Sequence, residues 1–350
     1  MPRLPGIMPQ RATFFSCDWG TSSFRLREVD RGSGQILQEL REASGARSLL
    51  EQCREGDSVC REQVFAEFLQ DRLQRILPPP AASIPGKPIC VMISGMASSS
   101  VGWKEVPYAP GPMALDGSTL REEVLALPLS GKRHAEVHLV SGVAFADEMM
   151  RGEETELLGL FAAGHHASFR TAARVVLPGT HSKHAQVDDS RVTSLRTFMT
   201  GELFDVLSSH SLLRASVTRS SGAEVSGSLE DPVCRQAFLE GVDASVTAGL
   251  AASLFQTRCR TVLHRVPPKS NRWFLSGLLI GSELDTLRSD PPGRPILLAA
   301  TALVSVAYRA ALERLGMLPR TTVVEPDDMA MASVRGHRAL LDRASTEHPA

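Results

Sequence analysis

Asp18 stands at the end of an apolar run, Thr13–Cys17, and directly before a turn of small and polar residues, Trp19-Gly20-Thr21-Ser22-Ser23. A carboxylate at a strand end suits Mg2+, held partly through water, because Mg2+ takes oxygen ligands and dehydrates reluctantly. A second small-residue turn, Pro178-Gly179-Thr180-His181-Ser182, follows another apolar run and is itself followed by Lys183. Glycine lets backbone approach a ligand closely, and successive N–H groups form an anion nest. The hydroxyls of Thr21, Ser22, Thr180 and Ser182 add donors, and Lys183 adds a cation. Neither G-x-x-x-x-G-K-[ST] nor G-x-G-x-x-G occurs, so a phosphate site must be built from such turns. Taken singly, Asp18 and each Gly-Thr pair also read as ordinary hairpin chemistry; their duplication argues for more. A third cluster, Met150-Arg151-Gly152-Glu153-Glu154-Thr155, puts two carboxylates at a helix start. Glu154 shares the helical face of Leu157, Leu158 and Phe161, while Glu153 lies nearer Leu160. Either they work chemically or they complement the helix dipole.

These residues need elements to position them. Thr13–Cys17, Phe24–Asp30 and Gln35–Leu40 read as three strands joined by glycine turns. Arg174–Leu177, Lys183–Val187 and Arg191–Arg196 repeat that grammar. A duplicated three-strand meander implies two similar α/β domains with a cleft between them. Helices are expected at Val64–Ile76, Glu153–Ala163, Gly201–His210, Ala237–Leu254, Phe274–Leu287 and Ala302–Leu315. Further strands are expected at Pro88–Ser94 and Thr321–Val324. The segment 77–88, rich in proline, reads as a loop.

Composition narrows the function classes. The 350 residues carry 38 Lys+Arg against 39 Asp+Glu, a net charge of −1, so nothing draws the chain globally to nucleic acid or anionic membrane. Aromatics at 5% argue against base-stacking platforms. The longest uncharged apolar stretch, Ile296–Tyr308, falls short of the ~20 residues of a membrane span. The N-terminus has no apolar core of a secretory signal, which predicts a cytoplasmic protein. Cysteines at 17, 53, 60, 90, 234 and 259 lack zinc spacing. Cys53 and Cys60 are close enough to pair, but reduced thiols are the expectation.

DWGTSSFR resembles the first phosphate motif of the actin, sugar-kinase and Hsp70 superfamily. SGMASSSVGWKEVPY, MRGEETELLGL, LPGTHSKHAQV, RTFMTGELFDVLSSHSLL and FLSGLLIGSEL narrow the resemblance to the 2-dehydro-3-deoxygalactonokinase family, in matching order from about residue 13 to 315. The resemblance implies two duplicated ribonuclease-H-like domains with a central ATP and substrate cleft, at 12–172 and 173–325, with a C-terminal helix and tail at 326–350. It implies ATP- and Mg2+-dependent phosphorylation of the terminal hydroxyl of a 2-keto-3-deoxy sugar acid, with 2-dehydro-3-deoxy-D-galactonate as the expected substrate. A kinase for a neighbouring acid such as 2-dehydro-3-deoxygluconate, or a nucleotide-binding sensor without turnover, are the alternatives. A homodimer is left open.

By that resemblance Asp18 holds the metal, and Gly20, Thr21, Ser22, Gly179, Thr180, His181, Ser182 and Lys183 hold phosphates. Glu153 is the nearer counterpart of the acceptor-orienting acid, with Glu154 beside it as a structural or substrate contact. Arg151 is ranked first to meet the substrate carboxylate, since arginine binds carboxylates bidentately. Lys104 and Arg25 are the other candidate cations, and Trp103 offers either a sugar-packing face or plain core. Gly201 and Glu202 open a helix and contact sugar or nucleotide, or simply cap it. Gly277 and Gly281, one helical turn apart, let adenine or another helix approach. Ala300 stands in the expected adenosine pocket where glycine is common, as does Ser333, and His184 replaces an expected aromatic.

Overall fold

The computed structural model describes residues 12–54, 56–77, 88–218 and 229–347; most of the proline-rich 77–88 segment lies outside them. The chain forms two compact units. The first runs to His166 and resumes at Met331, and the second is Ala167–Ala330.

In the first unit β1 (Thr13–Trp19), β2 (Phe24–Asp30) and β3 (Ile36–Glu42) form the antiparallel meander. β4 (Ile89–Gly95) pairs parallel with β1. The antiparallel pair β5 (Glu122–Pro128) and β6 (His134–Val140) follows, with β6 parallel to β4. The order is β3-β2-β1-β4-β6-β5. β1 is central and covered on both faces, so Phe14 and Phe15 are both buried and the strand reads as a continuous apolar run. After a short α1 (Ala46–Leu50), α2 (Ser58–Ile76) lays Phe65, Phe68, Leu69 and Leu73 into the core with Cys17, Trp19, Phe24, Leu26, Val91 and Ile93. Asp57 caps α2 by accepting from Cys60 N. α3 (Glu153–Phe161) and, from Met331 on, the C-terminal helix Pro326–Glu347 complete this unit. Gly159 of α3 and Gly336 of the last helix allow contact that a Cβ would block, at 1.7 Å from Ala332 O and 2.0 Å from Thr155 O respectively.

The second unit repeats the plan. β7 (Ala172–Leu177), β8 (Ser182–Asp188) and β9 (Arg191–Phe198) form its meander. β10 (Ile296–Leu298) pairs parallel with β7, and β11 (Thr321–Val323) parallel with β10. The shared order, from the third strand of the meander to its first and then across two further parallel strands, β4 and β6 in the first unit and β10 and β11 in the second, makes the fold α/β with two duplicated ribonuclease-H-like units. α4 (Thr200–Ser209), α5 (Pro232–Ala248), α6 (Leu250–Leu254), α7 (Gln256–His264), α8 (Pro268–Asp285) and α9 (Ala302–Arg314) surround this sheet.

Several expectations change. The single helix expected over Ala237–Leu254 is broken at Gly249, which sits at φ 80 between α5 and α6. β5, β6 and α7 have no counterpart in the sequence reading; β5 is exposed or half-buried along most of its length, and β6 breaks its apolar alternation with His134, Glu136 and His138. The chain from Met331 is part of the first unit rather than a separate tail. Cys53 and Cys60 form a disulfide, not free thiols, with Cα atoms 5.9 Å apart. No helix among the described residues is long and apolar enough to cross a membrane.

Candidate active site

Asp18 lies across from Arg25 on β2 and Ser94 on β4. Burial raises its pKa, and Arg25 and Arg27 pull against that rise. α3 begins at Glu153, and its N-cap Gly152 has φ 112, a conformation open to glycine. The two acids of the motif then diverge. Glu154 is fully buried, and its carboxylate accepts from Gly152 N at 2.7 Å and from Thr155 Oγ1 at 3.2 Å. Burial, then Glu153, pushes its pKa up to about 7. Glu153 stays partly exposed and accepts from Arg151 N at 3.0 Å.

Glu156 is the acid that sequence reasoning missed. Its pKa is pushed up to about 8 by burial first and then by Asp18, Glu153 and Glu154, with Arg25 opposing. Four carboxyl groups therefore share one locality, and three of them, Asp18, Glu154 and Glu156, are held toward their protonated forms. The signal was present in the run EETE, but only the first two acids sit beside the glycine that marks the helix start. This donor set is all oxygen, which fits Mg2+. Among the described residues no three such groups are close enough to hold an ion alone. The protein would supply one or two oxygens and leave the rest to water and phosphate, as Mg2+ commonly requires.

Arg151 is engaged by its own unit. Its Nη1 donates to Ser98 O (2.6 Å) and Ser98 Oγ (2.7 Å), and its Nη2 to Val106 O (3.2 Å). The guanidinium lies 4.1 Å over the Tyr108 ring. Its Nε–H is buried without a partner. Arg151 thus ties down the 98–106 loop and keeps little of its fork for a ligand. Lys104 reaches Glu123 at 2.7 Å, a solvent-screened pair. Trp103 is 5% exposed within the core of the first unit, so the plain-core reading holds and a sugar-packing face does not.

The first turn is closed by Gly20 N donating to Ser23 O at 2.9 Å, and Thr21 and Ser22 are exposed. Ala46 N and Arg47 N at the start of α1 donate to Gly20 O and Thr21 O, which fixes the turn to the helix. In the second unit Gly179, Thr180 and His181 are exposed, while Ser182 and Lys183 are buried. Gly179 N donates to Ser182 Oγ at 3.3 Å, and Lys183 Nζ to Thr197 Oγ1 at 3.1 Å. α4 abuts this turn: Glu202 N donates to Thr180 O, and a Cβ on Gly201 would lie 2.6 Å from Gly179 O. Glu202 also pairs with His181.

The adenosine assignments change. A Cβ on Gly277 would stand 2.0 Å from Phe238 O, and one on Gly281 2.8 Å from Val242 Cα. Both glycines are filled by the crossing of α5 on α8, so they pack helices rather than admit adenine. Ala300 is buried in the second unit's core, just beyond β10. Ser333 is buried in the C-terminal helix. His184 packs against Phe198 with the rings tilted at 51° and their centres 4.6 Å apart, and its Nε2 is 2.9 Å from Glu283 Oε1. Glu283, inside the FLSGLLIGSEL segment, went unnoticed in the sequence because a lone acid on a long helix reads as a solvated one.

Two like α/β units, each with a small-residue turn after its first strand and the first with a carboxylate cluster beside that turn, define the actin, sugar-kinase and Hsp70 class. The family profile for 2-keto-3-deoxy-galactonokinase matches residues 18–336. A Rhizobium meliloti (strain 1021) protein named "Probable 2-dehydro-3-deoxygalactonokinase DgoK1" is 32% identical over 331 residues, 92% of this chain and 95% of that protein. The Escherichia coli (strain K12) 2-dehydro-3-deoxygalactonokinase is 30% identical over 251 residues, 70% of this chain and 77% of its own. A crystal structure of a Sinorhizobium meliloti protein provisionally assigned the same activity aligns with TM-score 0.71 at 29% identity, covering 96% of this chain and all of that one. The chain belongs to the 2-keto-3-deoxy-galactonokinase family.

Proposed function

We propose that this chain transfers the γ-phosphoryl group of ATP to the terminal hydroxyl of 2-dehydro-3-deoxy-D-galactonate, giving the 6-phosphate, in the cytoplasm. The observation that carries this reading is the carboxylate cluster of Asp18, Glu153, Glu154 and Glu156 beside the first turn. Phosphoryl transfer passes through a loose transition state, so the protein's work is positioning and charge stabilisation. Asp18 would hold Mg2+, which when bound would neutralise charge on the phosphate oxygens. Gly20, Thr21 and Ser22 in the first unit, and Gly179, Thr180 and His181 in the second, present backbone and hydroxyl donors to phosphate. Glu153, the more exposed acid of the pair, accepts the proton of the attacking hydroxyl and aims its lone pair. Glu154 is occupied by Gly152 N and shapes the helix start. Arg151 holds the 98–106 loop for the sugar acid, with three of its five N–H donors spent on that loop.

A coupled ATPase assay across a panel of 2-keto-3-deoxy sugar acids tests the reading. Turnover is expected with the galactonate-derived acid. Absence of acid-stimulated ADP formation from ATP over the whole panel would overturn it. Asp18→Asn is expected to fold and to lower turnover by ~10²-fold or more, the scale of a lost electrostatic contribution; circular dichroism and steady-state rates check both halves.

A further inference from the structure

Within the second unit a line of hydrogen bonds leads from the Gly179–Ser182 turn to a buried carboxylate. Tyr308 OH donates to Glu283 Oε2 at 2.8 Å. Tyr308 has one proton, so Ser182 Oγ, 3.1 Å away, must be the donor to Tyr308. Ser182 Oγ in turn accepts from Gly179 N at 3.3 Å. The order is therefore Gly179 N–H, Ser182 O–H, Tyr308 O–H, Glu283 carboxylate, every proton directed inward. Glu283 also accepts from Thr200 Oγ1 at the first residue of α4, and from His184 Nε2 on β8. All five partners belong to one unit, and Ser182, His184, Tyr308 and Glu283 are each no more than 2% exposed. Burial and the neighbouring carboxylate hold the Tyr308 hydroxyl in its protonated form, able to donate. The proton of Ser182 is thus spent on Tyr308 and is not free for a phosphate oxygen.

We propose that Glu283 is the positioning residue of the second phosphate turn. One carboxylate, carried on α8, fixes the two pieces of chain that flank the turn: β8, at Ser182 through Tyr308 and at His184 directly, and the start of α4 through Thr200. It touches no phosphate itself. Its effect is to lock Ser182 and so hold the exposed amides of Thr180 and His181 in the conformation that receives an anion. Chains of hydrogen bonds in a dry interior polarise one another, so a carboxylate at the end stiffens the line up to Gly179. This inference rests on the proposed function only in taking the turn as a phosphate site.

The experiment uses the full chain and two conservative variants, Tyr308→Phe and Ser182→Ala, each of which cuts the line at one hydroxyl and leaves the contacts of Glu283 to Thr200 and His184. ADP and ATP affinities are measured by calorimetry, and KM is measured separately for ATP and for the sugar acid. Expected is a roughly tenfold weaker nucleotide affinity and a matching rise in KM for ATP, the scale of one lost hydrogen bond. KM for the sugar acid should stay unchanged and kcat within about threefold. A general packing defect would move all of these together. Should one variant not fold, the other decides. Wild-type ADP affinity in a folded variant overturns the positioning role. Failure of the wild-type chain to bind ADP or ATP overturns the kinase reading, and this inference falls with it.

Discussion

Glu153 and Glu154 are neighbours in sequence and unlike in surroundings. Glu154 is fully buried with its oxygens already used, whereas Glu153 keeps an exposed edge. Glu153→Gln is expected to lower kcat while leaving the KM for the sugar acid nearly unchanged, because ground-state binding is retained. Glu154→Gln is expected to keep kcat within a few-fold. The opposite pattern in steady-state kinetics would exchange their roles. At this scale the sequence carried the site's residue types well: Asp18 and the two acids sit at strand and helix ends that local pattern exposes. It carried partnerships poorly. Whether Arg151 is free or spent depends on Ser98 and Val106, more than forty residues away in the chain. Glu156 and Glu283 matter only through neighbours that tertiary packing supplies.

Helices and strands tell a related story. The duplicated meanders are legible because a buried central strand, a glycine turn and an alternating return strand each leave a local mark. Gly277 and Gly281 are legible as sites of close approach, but one helix face cannot say what approaches. With α5 filling both positions, Gly277→Ala must push Phe238 O aside. It is expected to cost about 1–3 kcal/mol of stability, seen as a lower urea midpoint, with nucleotide affinity unchanged in the protein that remains folded. The C-terminal helix offers a pH test. His337 is fully buried, with Nδ1 2.8 Å from Ser16 Oγ of β1. Burial, then Arg27, lowers its pKa from 6.5 to about 3. The unfolded chain takes up a proton below pH 6.5 that the folded chain refuses. Stability from this group is therefore complete above that pH and is lost as pH falls toward 3. The loss amounts to roughly 2 kcal/mol between pH 7 and 5. His337→Gln should flatten that slope in urea titrations at the two pH values; an unchanged slope would remove His337 as its source.

For the whole molecule, the first unit is discontinuous. The helix that contributes His337 to Ser16, and Gly336 to Thr155, is made from the end of the chain. A chain cut after Glu325 is expected to lose cooperative unfolding of the first unit, while the second keeps its own transition in calorimetry. Adding back a peptide of the last helix should recover part of the lost transition. If the cut chain melts as the intact one does, the helix is dispensable. The same layout sets a schedule for synthesis. When His166 leaves the ribosome, β1 and α3 still lack the helix that covers Ser16 and meets Gly159. All of Ala167–Ala330 must be translated first, which at bacterial-type rates of ~5–20 residues per second takes roughly ten to thirty seconds. The second unit is contiguous and can close as it emerges, whereas the first must wait with part of its sheet bare. The nascent chain thus folds back to front, and the half carrying Asp18 and Glu153 is the one exposed longest to chaperones and proteases.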